Sequence, residues 1–302
     1  MAATTALERD RPLAPPARGW ARTMVGYAAR NRNLSLGLVV LLVLLLVCLL
    51  GPLVIDTGRA RATSVLPDQP PSRQYPLGTD DQGRDLAAVL VAGLPLTLRI
   101  GFIAGSVGLS IGILLGLFAG YRRGVADAVV RMVVDTLLTV PGLLVLIIIA
   151  NTIKGVININ LMALVVASLA WMQPTRAIRA QVLTMRERAY IQVARLSGVS
   201  PLAIIVRELL PNLLPYLAAS FVGAVASAIL ATIGLEALGL GPQDAPDIGM
   251  TIYWAITFNA LLRGLWWWWL TPIVALMLLF VGLFLVTSGL DEIANPRLRQ
   301  RA

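Results

Sequence analysis

Histidine is absent from this 302-residue chain, and cysteine occurs once, at Cys48 inside an apolar run. Imidazole acid–base catalysis and intrachain disulfides are thereby excluded, and the usual donors for zinc or copper are missing. Charge is scarce as well: 14% of residues are charged and 57% hydrophobic, with a mean hydropathy of +0.78. Soluble domains carry about 25% charge, so this composition belongs to a membrane protein. No G-x-x-x-x-G-K-[ST] cradle occurs, which leaves the chain without a P-loop for ATP. The Asp, Ser and Tyr residues form no spaced nucleophile–base pair, so a membrane-embedded enzyme has little support.

What the chain has is apolar length. Runs at 34–55, 94–120, 127–150, 158–181, 212–238 and 266–290 each reach the ~20 residues that cross a bilayer core. An all-α polytopic protein with six transmembrane helices is expected, with both termini on one side. The net charge of +9 is unevenly spread. If the N-terminus is cytoplasmic, most of the 25 basic residues fall inside: Arg9 to Arg32, Arg122, Arg123 and Arg131, Arg176 to Arg207, and Arg297 to Arg301. Retention of positive loops in the cytoplasm explains the excess, and no nucleic-acid partner is needed.

The expected layout is a Pro- and Arg-rich cytoplasmic tail at 1–33, a retained first span at 34–55, and an extracytoplasmic loop at 56–93. A five-helix core follows at 94–290, with a cytoplasmic loop at 186–211, and a tail at 291–302. A second outer loop runs from Gly239 to Leu265. Gly101, Gly105, Gly108, Gly112, Gly116 and Gly120 form a stripe suited to close helix packing. Pro141 is expected to kink the third span, whereas Pro95 and Pro272 lie near span ends. Trp266 to Trp269 suit an interfacial anchor. Arg131 can pair with Asp127 or Asp135 at four-residue spacing, and a proton relay is the sharper alternative. Asp80, Asp81 and Asp85 lack the alternating ligand pattern of a calcium loop and read as solvated. Asp244, Asp247 and Tyr253 are candidates for an outer gate or a protein contact.

The most informative segment is RERAYIQVARLSGVSPLAIIVRELLPNLLP, residues 186–215, an arginine-rich island between apolar runs. It predicts two short helices. Gly198 closes the first, Ser200 caps the second and Pro201 starts it, while Pro211 and Pro215 break the pattern. Tyr190, Val193, Ala194 and Ser197 share one face of the first helix; Arg188, Gln192 and Arg195 share another.

This segment resembles the cytoplasmic signature loop of permease subunits of ATP-binding cassette importers, in particular the peptide/nickel group. That loop reads Glu-Ala-Ala, three residues, glycine, nine residues, then a segment ending Leu-Pro. Gln192, Val193 and Ala194 occupy the triplet, with two departures; Gly198 stands at the glycine, and Leu210 and Pro211 close it. PLGTDDQGRD at 76–85, GYRRGVADAVVRMVVD at 120–135 and LDEIANPRLR at 290–299 are also similar, most closely to the C-type subunit of dipeptide and oligopeptide permeases. Near 230–250 the likeness weakens: Thr232 stands where the family has glutamate and Ile248 where it has tryptophan. Glu236, one turn on, offers a same-face replacement.

The resemblance implies a type I importer permease fold in a bacterial cytoplasmic (inner) membrane. It implies a second permease subunit as partner in a heterodimer, two ATPase subunits that hold ATP and Mg, an extracytoplasmic binding protein and a peptide cargo; nickel chelates, glutathione and sugars use similar architectures. The island would then be a coupling helix, with Tyr190 filling an ATPase pocket and Arg188 and Arg195 at its rim. A bulky residue at Gly198 would block the turn and uncouple transport from ATP hydrolysis. Asp135, Thr232 and Glu236 are candidates for the path or gate. The rival is an ion-gradient-driven secondary carrier or channel using Asp135 or Glu236.

Overall fold

A computed structural model describes residues 31–294. Residues 1–30 of the expected N-terminal tail and 295–302 of the expected C-terminal tail lie outside the described residues. Among the described residues the regular structure is helical, apart from one isolated bridge between Thr79 and Asp85. Its helices are α1 (Arg32–Val54), α2 (Leu86–Arg122), α3 (Val125–Thr139), α4 (Gly142–Thr152) and α5 (Ile159–Ala170). There follow α6 (Met172–Met185), α7 (Ala189–Leu196), α8 (Pro201–Glu236), α9 (Ile248–Thr257) and α10 (Trp266–Ala294). Helices α1, α2, α8 and α10 are long and apolar enough to cross a membrane. The pairs α3–α4 and α5–α6 do so if each counts as one bent span, which makes six.

α2 is the axle. It begins where the Asp85 carboxylate accepts from the Ala87 amide, eight residues before the expected span, and it runs straight through Pro95. Residues 86–93 are therefore not loop: Leu86, Ala88 and Leu94 are fully buried. Its glycines mark successive contacts. A Cβ at Gly105 would stand 2.9 Å from the Val225 backbone in α8, and one at Gly108 would lie 2.6 Å from Ala170 Cβ in α5. At Gly112, Gly116 and Gly120 it would crowd Pro174, Ile178 and Val182 of α6. Six small residues thus let three neighbours approach one helix at backbone distance. A second seam joins α1 to α10, where a Cβ at Gly37 would lie 2.7 Å from the Val286 amide and one at Gly289 would lie 2.6 Å from Leu34. The outward side of α1 exposes Leu36, Val39, Leu42, Leu46 and Leu49, a surface for lipid.

Several expectations are corrected. Pro141 does more than kink the third span: it follows an extended Val140 and precedes α4 with non-helical backbone, and α3 and α4 meet at 85°. The fourth span bends by 40° at Trp171. Pro211 and Pro215, by contrast, break nothing. The second island helix runs on as α8 through a π-helical turn at Ile205–Leu209, where the Leu210 amide reaches back to the Ile205 carbonyl. That wider register absorbs the amide that Pro211 lacks.

At the end of the bundle away from the island, the loop after α1 folds tightly instead of lying in solvent. Asp80 is fully buried and meets the Arg84 guanidinium at 2.6 Å; burial holds its carboxyl above the ordinary range against the pull of Arg84. Asp81 and Asp68 converge on Arg263, and Asp85 caps α2. The tryptophan run is not a simple membrane anchor either. Trp268 is fully buried beside Leu86 and Ala260, and Trp267 donates to the Thr79 carbonyl at 3.1 Å, leaving Trp266 as the exposed ring. The second outer loop contains α9, and Tyr253 on it packs against Gly239.

The α2 seam makes a measurable prediction. Gly108→Val should force α2 away from Ala170 and lower the thermal midpoint of the detergent-solubilised chain, at a cost of about 3 kcal/mol. Gly223→Ala, where a Cβ meets nothing within 4 Å, should leave the midpoint unchanged.

Candidate functional site

Besides an exposed ion pair of Glu187 with Arg123 at 2.8 Å, the island is held to the bundle at three places. Arg186, at the end of α6, donates to the carbonyls of Tyr121 at 2.8 Å and Gly120 at 3.4 Å, tying α6 to the end of α2. Burial first, then Arg123 and Arg195, pull its pKa below the ordinary arginine value. Ile191 of α7 is fully buried against Tyr121, Ile178, Ile204 and Leu209, with Tyr190 and Ala194 packed beside it. The Arg195 guanidinium lies over the Tyr121 ring, 5.2 Å from its centroid.

Between α7 and α8 the turn is closed by backbone geometry. The Val199 amide donates to the Ala194 carbonyl at 3.1 Å and the Gly198 amide to the Arg195 carbonyl at 3.0 Å, the paired bonds of a Schellman turn. Gly198 sits at φ +75°, and a Cβ there would meet nothing within 4 Å. Left-handed backbone, not lack of room, is what requires glycine. Ser200 accepts from the Ala203 amide at 3.4 Å, and Pro201 fills the first turn of α8.

The faces of α7 differ from the expected ones. Tyr190 turns toward its own core and Arg195 toward Tyr121, while Gln192 is half-buried. The outward apolar row is Val193, Leu196, Val199, Leu202 and Val206, with Leu196 89% and Leu202 70% exposed. Arg188 and Arg207 are exposed as well; Leu210 packs on the core and Pro211 is exposed. Ile191 and Leu196 were missed because eight residues span too few turns for an apolar face to stand out.

On the same half of the bundle, α3 and α6 enclose charged groups. Asp127 pairs with Arg179 of α6 through two bonds of 2.5 and 2.7 Å, not with Arg131 as expected. Arg131 instead lines a cavity of about 190 Å³ with Val130, Val134, Asp135, Thr175, Arg176 and Arg179. Cations and a carboxylate share one recess between two bent spans, a surface that cannot face lipid.

At the opposite end, Thr232 and Glu236 are fully buried in α8. The Thr232 hydroxyl is used within its own helix, donating to the Ala228 carbonyl at 2.9 Å. Glu236 meets Asp247, which is fully buried and caps α9 by accepting from the Gly249 amide at 2.9 Å. Asp247 is therefore not an exposed contact. Asp135, Thr232 and Glu236 do not share one site: the first lies in the island half, the other two at the far end.

Residues 112–300 match the family described as binding-protein-dependent transport system inner membrane component. The chain is 32% identical over 275 residues to a protein of Brucella abortus named as a peptide transport system permease, covering 89% of this chain and 90% of that one. It is 32% identical over 231 residues to the oligopeptide transport system permease protein OppC of Mycobacterium bovis (76% and 79% covered). It is also 28% identical over 275 residues to the dipeptide transport system permease protein DppC of Bacillus subtilis (90% and 84% covered).

Because Gly198 is required by dihedral and not by space, Gly198→Asn should preserve the turn. Gly198→Val should cost about 1–2 kcal/mol and raise amide exchange across residues 194–204 roughly tenfold, read by hydrogen-exchange mass spectrometry. Equal exchange in both variants would refute the assignment.

Proposed function

The chain belongs to the inner-membrane components of binding-protein-dependent transport systems, the permease subunits of ATP-binding cassette importers, and from that premise we propose that it forms half of the translocation pathway of a peptide importer. As a permease component it is not itself catalytic; ATP and Mg are assigned to two separate ATPase subunits. The observation that carries the proposal is α7, a short helix anchored inward by Ile191 and closed by a Schellman turn, with Leu196 presented outward. It has the form of a knob on a rigid mount, and a groove on each ATPase is its proposed seat. Val193, Leu196 and Leu202 make the apolar contact. Arg188 supplies charge at the rim, while Tyr190, Gln192, Ala194, Arg195, Gly198, Leu210 and Pro211 hold the loop in shape.

On this reading, which the basic island supports, this face lies in the cytoplasm of a bacterial inner membrane, with the folded loop 56–85 and α9 on the far side, where an extracytoplasmic binding protein would deliver cargo. The recess of Arg131, Asp135 and Arg176 between α3 and α6 is assigned to the path, closed by a second permease subunit. Its mixed charge suits a zwitterion, in keeping with peptide cargo and with the names of the relatives. Nucleotide-driven closure of the ATPases would move the paired α7 knobs, and the bent spans would rock between inward-open and outward-open states.

Affinity purification of the tagged chain from its native membrane tests this. A second six-span permease and Walker-motif ATPases should come with it. Leu196→Glu should abolish recovery of the ATPases by at least tenfold while leaving the thermal midpoint of the chain unchanged, since Leu196 is exposed. A chain recovered alone would favour an ion-driven carrier.

A further inference from the structure

At the end of the bundle away from the island, two acids meet without a cation. Glu236 closes α8, Asp247 opens α9, and both side chains are fully buried. Asp247 receives the Gly249 amide at 2.9 Å and the Thr97 hydroxyl of α2 at 3.2 and 3.3 Å. Neither oxygen of Glu236 has a hydrogen-bond donor within reach when both acids are ionised; what its carboxyl faces is that of Asp247.

The surroundings supply no counter-charge. Helices α4, α5 and α9 and the outer half of α10 contain no charged residue; Lys154, in the loop after α4, is exposed, and Arg263, before α10, is exposed and paired with Asp68 and Asp81. On α2 the nearest charge, Arg99, is exposed, and Asp244 in the intervening loop is another exposed acid. Tyr253 of α9 is occupied against Gly239. Nor is there space for a metal ion with its ligands. The Gly249 backbone lies directly against Oε2 of Glu236, a Cβ at Gly241 would stand 2.6 Å from the Glu236 Cγ, and Gly93 of α2 presses on the Pro246 carbonyl.

Two carboxylates shut away from water and unpaired cannot both stay charged. A proton resolves the arrangement at no cost in volume: one carboxyl becomes the donor, the other accepts, and the orphaned oxygens of Glu236 gain a partner. We propose that Glu236 and Asp247 bind one proton between them, and that this proton fastens α9 to α2 and α8. When α9 leaves its seat the O–H···O bond opens, the proton passes to water, and two hydrated carboxylates remain. If this end opens during transport, a consequence that rests on the permease reading, opening releases a proton.

The test uses the full chain in lipid nanodiscs. Infrared spectra at neutral pH should show a protonated-carboxyl C=O stretch that is lost in both Glu236→Gln and Asp247→Asn. The folded pair holds a proton that the unfolded acids give up above about pH 4, so stability falls as pH rises. The melting temperature of the unaltered chain should therefore drop by about 3 °C or more between about pH 6 and about pH 8. Glu236→Gln, whose amide keeps a donor, should show no such slope. Absence of the band, its survival in both variants, or a slope shared with Glu236→Gln overturns the proposal. So does recovery of alkaline stability on adding Ca²⁺ or Mg²⁺, which would make the pair a cation site. If neither variant folds, the band and slope of the unaltered chain decide. None of these readings involves uptake or ATPase activity, so failure here is distinct from failure of the permease assignment.

Discussion

The placement of both candidate sites in this protein depends on how closely other helices approach α2. In lipid, apolar side chains gain little by leaving one another's company, so helix association has to come from contact at short range. The six glycines from Gly101 to Gly120 remove the side chains that would hold neighbours apart, and α8, α5 and α6 settle against the exposed backbone in turn. Because α6 is fixed on this stripe, its end lies where Arg186 can reach the α2 carbonyls, and the island starts from a defined point. Because α8 is fixed there too, Glu236 at its far end is carried to Asp247, which the Thr97 hydroxyl of α2 also reaches.

The two ends of the bundle use different chemistry for the same purpose of holding a short helix at a fixed angle. At the island end α7 is anchored by an apolar residue, Ile191, and its turn is closed by main-chain bonds that need a left-handed Gly198. Its outward residues, led by Leu196, stay exposed. At the far end α9 is held by fully buried polar groups, and by glycines at close contact. The island end thus presents an exposed apolar surface, while the far end is closed by buried groups.

The bent spans explain where the charge resides. An 85° break before α4 and a 40° bend at Trp171 prevent α3–α4 and α5–α6 from acting as smooth lipid-facing rods. The recess they leave accommodates Arg131, Asp135 and Arg176, groups that hydrocarbon would reject. The Asp127–Arg179 fork crosses between the two bent units and neutralises one charge of each sign. Irregular helices and ionisable residues occur together here because each makes the other tolerable.

Periodicity and punctuation made the helical class, the six apolar segments, the glycine stripe and the island turn legible from the amino acids alone. Each rests on local physics: apolar length against bilayer thickness, missing side chains, and the positive φ that Gly198 alone accepts cheaply. The family likeness was legible too, through the spacing of Ala194, Gly198, Leu210 and Pro211. What the order of residues did not reveal were the outcomes set by partners distant in the chain. Pro95, Pro211 and Pro215 look like breaks yet lie inside continuous helices, whereas Pro141 marks a sharp corner. Asp127 takes Arg179, 52 positions away, over Arg131 four positions away, because α6 packs alongside α3. Tyr190 turns inward because a core lies beneath it, and Glu236 becomes half of a buried acid pair only once α9 folds back onto α8. Local propensity decides which segments become helices, but the environment of each side chain is a property of the packed bundle, and that environment assigned Leu196 to the surface and Glu236 to the interior.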